Sequence, residues 1–364
     1  MLTRERIGTP EAFFLTVAAM IEVGTLVGAK DIVDKVGVDT WLVSPLETLT
    51  SLGAIYLVTK LAMKFPHLDL LGYSQLLVGK WLGWLLSLPV YVYWLGLSAE
   101  VSRVTVDVIK NTLLPRTPME VILFTFILAA AYLAKQGLEP LARACVIIVI
   151  IFLPLTMLLF LLVIPRVRVE NFLPFLPQGP WPVLKLALWR ISNAEEMSFF
   201  LILVPFMQKP KEAWKAASLG YLLVMVVVVI VLTTCQGVLG VDKLKYTLIP
   251  GLAVTQLAEF AGTFIERISL LFISLWVIIV FPTVSSLLWA SSYLLGCLFN
   301  FKDYRMLAFY QLPVVYFLAI HPRSTFDVKR FFFFLQPLGL VVLVAIPVLL
   351  LMVSFFRFRG RGEL

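Results

Sequence analysis

The sequence has little charge and few histidines, and each shortage excludes a class of protein. Charged residues make up 14% of the 364 positions, whereas a soluble domain has about 25%. A chain this poor in charge could not cover its surface in water. Its two histidines each lie beside a proline without an acidic or cysteine cluster nearby, and no P-loop, GxSxG or HExxH motif occurs. We therefore predict no enzyme activity, no cofactor and no metal site.

Cysteine is also scarce, and the three that occur are an odd number without metal-ligand spacing. Cys145, Cys235 and Cys297 lie in apolar stretches, so we interpret them as small buried hydrophobic side chains. The net charge of +8 comes from basic residues scattered near the ends of apolar stretches, which indicates anionic lipid headgroups and not nucleic acid. Only a short polar leader precedes the first apolar stretch, and we expect no cleavable signal peptide.

Long apolar stretches fill most of the chain. Hydrophobic residues make up 60% of the sequence, and a helix needs about 20 mostly apolar residues to cross a bilayer. The sequence predicts an all-α integral membrane protein with a single transmembrane domain, residues 1–364, and both chain ends in the cytoplasm. Its ten predicted transmembrane helices are Glu11–Ala29, Thr40–Met63, Leu82–Ile109, Met119–Gln136, Leu141–Pro165, Trp181–Met207, Trp214–Leu239, Ile265–Phe299, Met306–Ile320 and Val328–Phe356.

The first apolar segment carries polar and small residues at membrane depth. Glu22, Gly24, Thr25 and Gly28 follow one another within it. One interpretation is a packing face, since glycines four residues apart let a neighbouring helix approach closely. The other is an unwound helix whose free backbone groups face a cavity. Both interpretations remain open on this segment alone.

The sixth segment is interrupted by a polar run, Arg190 to Glu196. One carboxylate at the bilayer centre costs about 2.5–3.5 kcal/mol on insertion scales, and two would strain an ordinary span. Ser192 and Glu195 fit the S-x-x-E capping box that starts a helix. The pattern predicts two half-helices with a junction near Ser192 and Asn193, and it gives Ser192 and Glu195 the role of a structural cap.

Glu196 is turned about 100° from Glu195 around an α-helix. A single cap is therefore not expected to satisfy both carboxylates. We expect one of the pair to face water, a ligand, or a basic side chain such as Arg103 or Arg190, and we favour Glu196 for this role.

Breaks in helices 1 and 6 of a ten-helix chain predict a LeuT-like 5+5 inverted repeat. Repeat one covers about residues 11–165 and repeat two about residues 181–356, with the breaks meeting near the membrane midplane. Free backbone N–H groups suit a carboxylate, whereas free carbonyls and a glutamate suit an ammonium group, so we predict a small zwitterion such as an amino acid. The candidate ligand-binding residues are Val23, Gly24, Thr25, Gly28, Tyr93, Leu97, Asn193, Ala194, Glu196 and Phe281.

Further charged residues fall within the predicted helices. Glu100, Arg103 and Asp107 share one face of the third helix. They form either an internal ion-pair ladder or part of a water or ion path, and Glu22 is a further candidate for a buried charge. Glu139 and Arg143 are four residues apart and are predicted to form a structural pair.

Several short motifs follow one another along nearly the whole chain. They are Gly79–Gly83, Arg103 with Asp107, Leu113–Pro118, Tyr132, Gly137–Arg143, Glu170–Pro174 and Phe264–Ile268 leading to Trp276. In this order they resemble the B subunit of the nutrient germinant receptors of spore-forming bacteria, a branch of the amino acid–polyamine–organocation transporter superfamily. The doubled Glu195–Glu196 departs from the single acidic residue expected of the family, and Glu22 has no assigned counterpart.

The resemblance implies a sensor built on a transporter scaffold. Such a subunit binds a small nutrient, often an amino acid, and works with an A subunit and a lipoprotein C subunit in the inner membrane of the spore. Binding then triggers ion release and germination. Two alternatives remain: an ion-coupled amino acid transporter on the same scaffold, and an ion or water channel subunit suggested by the charged face of the third helix.

Overall fold

The computed structural model describes residues 5–21, 24–257 and 268–358. Every regular element in these ranges is a helix, and β-pairing is limited there to one isolated parallel bridge between Ile7 and Met207. The all-α prediction is therefore confirmed for the described part of the chain. The predicted residues Glu22 and Val23, and the predicted start of the eighth segment at Ile265, lie outside it.

The first half of the chain contains seven α-helices. Asp69 caps α4 by accepting a hydrogen bond from the Gly72 N–H at 2.8 Å. Gly79 separates α4 from α5 with φ of 92°, a conformation that a residue with a side chain rarely adopts. The helices are α1 (Thr9–Met20), α2 (Gly24–Val36), α3 (Thr40–Lys64), α4 (Leu70–Val78), α5 (Lys80–Thr112), α6 (Met119–Lys135) and α7 (Leu138–Leu161).

The described residues of the second half form ten α-helices, a long 3₁₀ run over Arg190–Phe199 with two short 3₁₀ turns after it, and a π-helical turn over Val341–Ala345. The longest, α10, bends at Gly240, where φ is 71°, one residue after the predicted end of the seventh segment. The helices are α8 (Trp181–Trp189), α9 (Phe200–Leu203), α10 (Ala213–Tyr246), α11 (Pro250–Leu257), α12 (Ile268–Leu298), α13 (Leu307–Tyr310), α14 (Leu312–Ile320), α15 (Thr325–Phe331), α16 (Leu335–Leu340) and α17 (Ile346–Phe358).

Six helical stretches of the described chain are long and apolar enough to cross a membrane. They are Gly28–Lys64, Lys80–Thr112, Leu138–Arg166, Pro210–Tyr246, Leu270–Leu298 and Leu335–Arg357. The first, fourth, sixth and ninth predicted segments form shorter or interrupted helices instead. These six stretches support a multi-pass membrane protein, and the count of ten stays a prediction.

The core lies where α5 and α12 pack against each other and against α1, α6 and α7. Trp94, Trp276, Trp289, Tyr73 and Tyr93 are among its largest fully buried side chains. Serines and threonines inside the core, such as those of α5, satisfy their hydroxyls by donating to carbonyls of their own helix. Such small residues allow the close helix contacts on which membrane proteins depend, because lipid supplies little hydrophobic drive between helices.

Candidate functional site

The first apolar segment is divided between two helices. The helix α1 ends at Met20, Ile21 has non-helical backbone angles (φ −83°, ψ 90°), and α2 begins at Gly24. A helix end leaves carbonyl groups without intrahelical partners. Here the hydroxyl of Thr283 on α12 donates to the carbonyls of Ala18 at 2.9 Å and Ile21 at 3.3 Å.

The glycines of this segment do not show the predicted packing face. A Cβ added at Gly28 would meet nothing within 4 Å, so Gly28 does not serve a close helix approach. Gly24 is exposed. The side chain of Thr25 lies outside the described structure, as do Glu22 and Val23. The packing interpretation is therefore unsupported at Gly28.

The sixth segment differs from its predicted form. Residues Arg190–Phe199 form a 3₁₀ run that is kinked at Ala194, where the backbone angles are non-helical (φ −100°, ψ 15°). The next α-helix, α9, starts only at Phe200. The predicted α-helix start at Ser192 is therefore wrong, although the kink lies one residue beyond the predicted junction near Ser192 and Asn193. The side chain of Ser192 lies outside the described structure, so the capping box stays a prediction. With 3.0 residues per turn, Glu196 is turned about 120° from Glu195.

A buried ion pair holds the start of this 3₁₀ run against α3. The Arg190 Nε donates to Glu47 Oε2 at 2.8 Å, and the Glu47 side chain is only 3% exposed. The side chain of Asn193 also hydrogen-bonds Glu47. Glu47 takes the Arg190 guanidinium, which the sequence offered as one alternative partner for Glu195 or Glu196. The predicted ligand residue Asn193 thus belongs to this network.

Sequence reasoning missed Glu47. It is a lone glutamate inside the apolar segment Thr40–Met63. The argument that drew attention to Glu195 and Glu196, a carboxylate at membrane depth, applies to it equally. Its partners could not be found that way, since Arg190 is 143 residues further along the chain.

Glu195 lies at the contact between the sixth segment, α5 and α16. A Cβ built on Gly339 of α16 would overlap Glu195 Oε2 and would lie 3.3 Å from Tyr93 Cε2. The carboxylate therefore rests against the backbone of α16, beside the fully buried ring of Tyr93. This contact comes in addition to the predicted role of Glu195 as a helix cap, which stays a prediction.

Tyr93 is the side chain that brings the acidic residues together. The charges of Glu195, Glu196 and Glu100 all act on its hydroxyl. Glu196 is 2% exposed, and its charge also acts on the buried Tyr221 of α10. Glu100 and Glu195 are half-buried. We call Tyr93, Glu100, Glu195 and Glu196 the central acidic cluster.

The remaining candidate ligand-binding residues lie on α5, in the sixth segment and on α12. Leu97 lies one turn beyond Tyr93 on α5 and is buried, as is Ala194. Phe281 of α12 packs edge-on against Phe126 of α6, with ring centroids 6.1 Å apart. Aromatic packing accounts for the position of Phe281 without a ligand.

Arg103 does not reach the sixth segment either. Its Nε pairs with Asp107 at 3.3 Å, and its Nη1 donates to the Ala319 and Ile320 carbonyls at the end of α14. A cation at a helix C-terminus is stabilising, because the last carbonyls carry partial negative charge. These contacts fit the ion-pair interpretation of the α5 charges, and they show Arg103 paired with Asp107 and not with Glu195 or Glu196, for which it was one alternative partner.

Two solved structures resemble this fold closely. Mhp1, a nucleobase-cation-symport-1 family transporter with bromovinylhydantoin bound, superimposes with a TM-score of 0.71 over 99% of this chain and 81% of its own, at 13% identity. MhsT in complex with L-phenylalanine gives a TM-score of 0.69 over 99% and 90%, at 14% identity. Likeness at such low identity shows the helical arrangement alone.

Sequence similarity is more specific. The spore germination protein YndE of Bacillus subtilis (strain 168) is 29% identical over 360 residues, which is 98% of each chain. The family model described as spore germination protein, a spore permease, matches residues 6–328. The matched range includes the divided first segment, the 3₁₀ run and the central acidic cluster. The chain therefore belongs to the spore germination protein family, as the resemblance of its motifs implies.

Proposed function

We propose that this chain is the membrane subunit of a nutrient germinant receptor. In this proposal it binds a small germinant, an amino acid, and triggers germination by a conformational change. The observation that carries the proposal is the central acidic cluster beside two interrupted helices, in a chain of a spore germination family. A buried carboxylate inside a membrane bundle is costly, and residues of this kind typically mark ligand or ion sites.

The chemistry of the cluster supports a ligand with an amino group. Glutamate carboxylates attract an ammonium group, and backbone N–H groups freed at an interrupted helix attract a carboxylate. The ligand would lie between the end of α1, α5 and the sixth segment. MhsT, which shares this helical arrangement, has been solved with L-phenylalanine, and this agrees with a site of amino acid size.

A binding screen tests the proposal directly. The purified chain in lipid nanodiscs is heated with each of the twenty L-amino acids, and its unfolding midpoint is recorded. A ligand that binds only the folded state raises stability by RT ln(1 + [L]/Kd), about 2.7 kcal/mol at 100 Kd. Glycine amide and acetate serve as control solutes that each carry one of the two charges. Midpoints that none of the amino acids moves would exclude an amino acid germinant.

We further propose that the chain works with A-type and lipoprotein C-type subunits in the inner membrane of the spore. The family resemblance supports this assembly. Genes for both subunit types next to this one, and co-purification of all three proteins from spores, are the expected results. A genome that lacks both subunit types would contradict the receptor proposal.

An ion-coupled amino acid transporter is the second candidate. It is favoured by the polar contact at the end of α1, where the Thr283 hydroxyl meets the carbonyls of Ala18 and Ile21. Hydroxyl and carbonyl oxygens are suitable ligands for a sodium ion, which would replace the hydroxyl hydrogen bonds. Uptake of radiolabelled amino acids into proteoliposomes, with and without a sodium gradient, tests this candidate. Binding without uptake would favour the receptor.

A further inference from the structure

The tenth apolar segment approaches the central acidic cluster more closely than a residue with a side chain at position 339 would allow. A Cβ built on Gly339 would overlap the Glu195 carboxylate, and one built on Gly96 of α5 would lie 2.8 Å from Leu335 Cδ2 on α16. Gly339 lies on α16 and Gly96 lies on α5, so each glycine is at the contact between these two helices. They let α16 and α5 come together with Glu195 and Tyr93 between them.

The backbone of the segment changes form directly after this contact. A π-helical turn follows at Val341–Ala345, one residue beyond the end of α16. Such turns insert an extra residue into a helix and are frequent at functional sites. The turn itself packs against the 3₁₀ run of the sixth segment. Two independent features therefore bring the tenth segment to the residues proposed to bind the ligand.

We propose that α16 forms a wall of the ligand site and that Gly339 is a positioning residue, which fixes the Glu195 carboxylate beside Tyr93. This inference rests on the proposed function for its ligand, and it extends the site to a segment that the sequence did not implicate. A side chain at position 339 would push the carboxylate away from the backbone of α16. The carboxylate would then lose its alignment with Tyr93, and with it the position from which it would attract the ammonium group of the ligand.

The substitution Gly339→Ala tests the contact, with Gly53→Ala as the matched control. Both glycines lie in helices, but a Cβ at Gly53 would meet nothing within 4 Å. Alanine is the better helix former, so the unfolding midpoint should rise or stay unchanged for Gly53→Ala. It should fall for Gly339→Ala. In a Glu195→Ala background, the same change at position 339 should cost much less, because the overlapping carboxylate is absent and only the 3.3 Å contact with Tyr93 Cε2 remains.

The ligand response separates a positioning role from a structural one. For the amino acid that most stabilises the wild type, Gly339→Ala should weaken apparent affinity by about tenfold or more, ~1.4 kcal/mol, and Gly53→Ala should leave it unchanged. Wild-type affinity in Gly339→Ala would overturn the proposal. So would an equal cost of Gly339→Ala in both Glu195 backgrounds, or failure of the Glu195→Ala/Gly339→Ala protein to fold where Glu195→Ala folds.

Failure of the amino acid proposal has a different signature. If no amino acid stabilises the wild type, the ligand assignment is wrong. The unfolding midpoints of the two single variants and the double variant still decide whether Gly339 seats the Glu195 carboxylate.

Discussion

Glu5 near the N-terminus and the central acidic cluster both place carboxylates inside the helical bundle, but the groups that surround these carboxylates differ. The Glu5 carboxylate pairs with Arg305 and accepts hydrogen bonds from the Leu138 N–H at 2.8 Å and the Tyr304 hydroxyl at 3.2 Å. Gly137 has φ of 96°, and a Cβ there would overlap Glu5 Oε1. The leader of the chain is thereby fastened to the start of α7 and to the loop before α13.

The central acidic cluster gathers several carboxylates around one tyrosine instead. Nearby, the arginine of the 3₁₀ run is paired with Glu47 of α3. A network of donors and a counter-charge around one carboxylate has a structural purpose, since every part of it is satisfied by the fold. Carboxylates placed inside a membrane bundle typically mark ligand or ion sites, which agrees with the proposed function. Substitutions at the two sites should therefore affect different properties.

The largest effect on stability is expected from Arg190→Ala. It leaves Glu47 buried without its charged partner, and breaking a buried pair in this way costs about 3–5 kcal/mol. Chemical unfolding in nanodiscs measures the loss. Arg143→Ala is the matched control, because the Arg143–Glu139 pair is exposed and such pairs contribute ~0–1 kcal/mol. Equal losses from the two variants would mean that Glu47 is neutral in the folded protein.

At Glu5, replacement by alanine should reduce stability by a smaller amount, about 1.5–3 kcal/mol, as expected for hydrogen bonds to a charged group. Arg305 is partly exposed, so water solvates its guanidinium group when the Glu5 carboxylate is removed. The N-terminal segment should also become open to proteolysis, which mass spectrometry of limited digests would detect. A variant with wild-type stability and an intact leader would show that the contacts at Glu5 contribute nothing to the fold.

A glutamine scan compares the two sites with the least change in shape. Glu195→Gln and Glu196→Gln should each weaken the response to the stabilising amino acid by about tenfold, ~1.4 kcal/mol, while both proteins remain folded. Glu5→Gln should lower the unfolding midpoint and leave ligand affinity unchanged. Both carboxylates belong to the central acidic cluster, so each substitution is expected to have an effect. Loss of ligand response in Glu5→Gln would contradict this division between the sites.

Much of the helical framework follows from the apolar runs. The predicted second and fourth segments begin at Thr40 and Met119, as α3 and α6 do, and end within one residue of them. Apolar length and turn residues are local properties, and they determine where a membrane helix begins and ends. Gly240 also lies where the predicted seventh segment stops.

The site was less predictable because its contacts join residues far apart in the chain. Glu195 matched a local capping pattern, but its carboxylate lies against Gly339, and nothing in an apolar run distinguishes that glycine from any other. The Glu47–Arg190 pair likewise joins α3 to the sixth segment. Local signals found the polar run, whereas tertiary packing decided what each glutamate contacts.

The smallest effect concerns the polar contact between α1 and α12. Thr283→Val keeps the side-chain shape but removes the hydroxyl that serves the Ala18 and Ile21 carbonyls, so a loss of about 1 kcal/mol is expected, the usual net value of a hydrogen bond. Thr125→Val is the control, because the Thr125 hydroxyl donates only within its own helix, α6. Unfolding is measured with sodium and with choline as the cation. A sodium-dependent rise in wild-type stability that Thr283→Val abolishes would favour the ion-coupled transporter, whereas equal stability in both salts would favour a receptor in which Thr283 only joins the two helices.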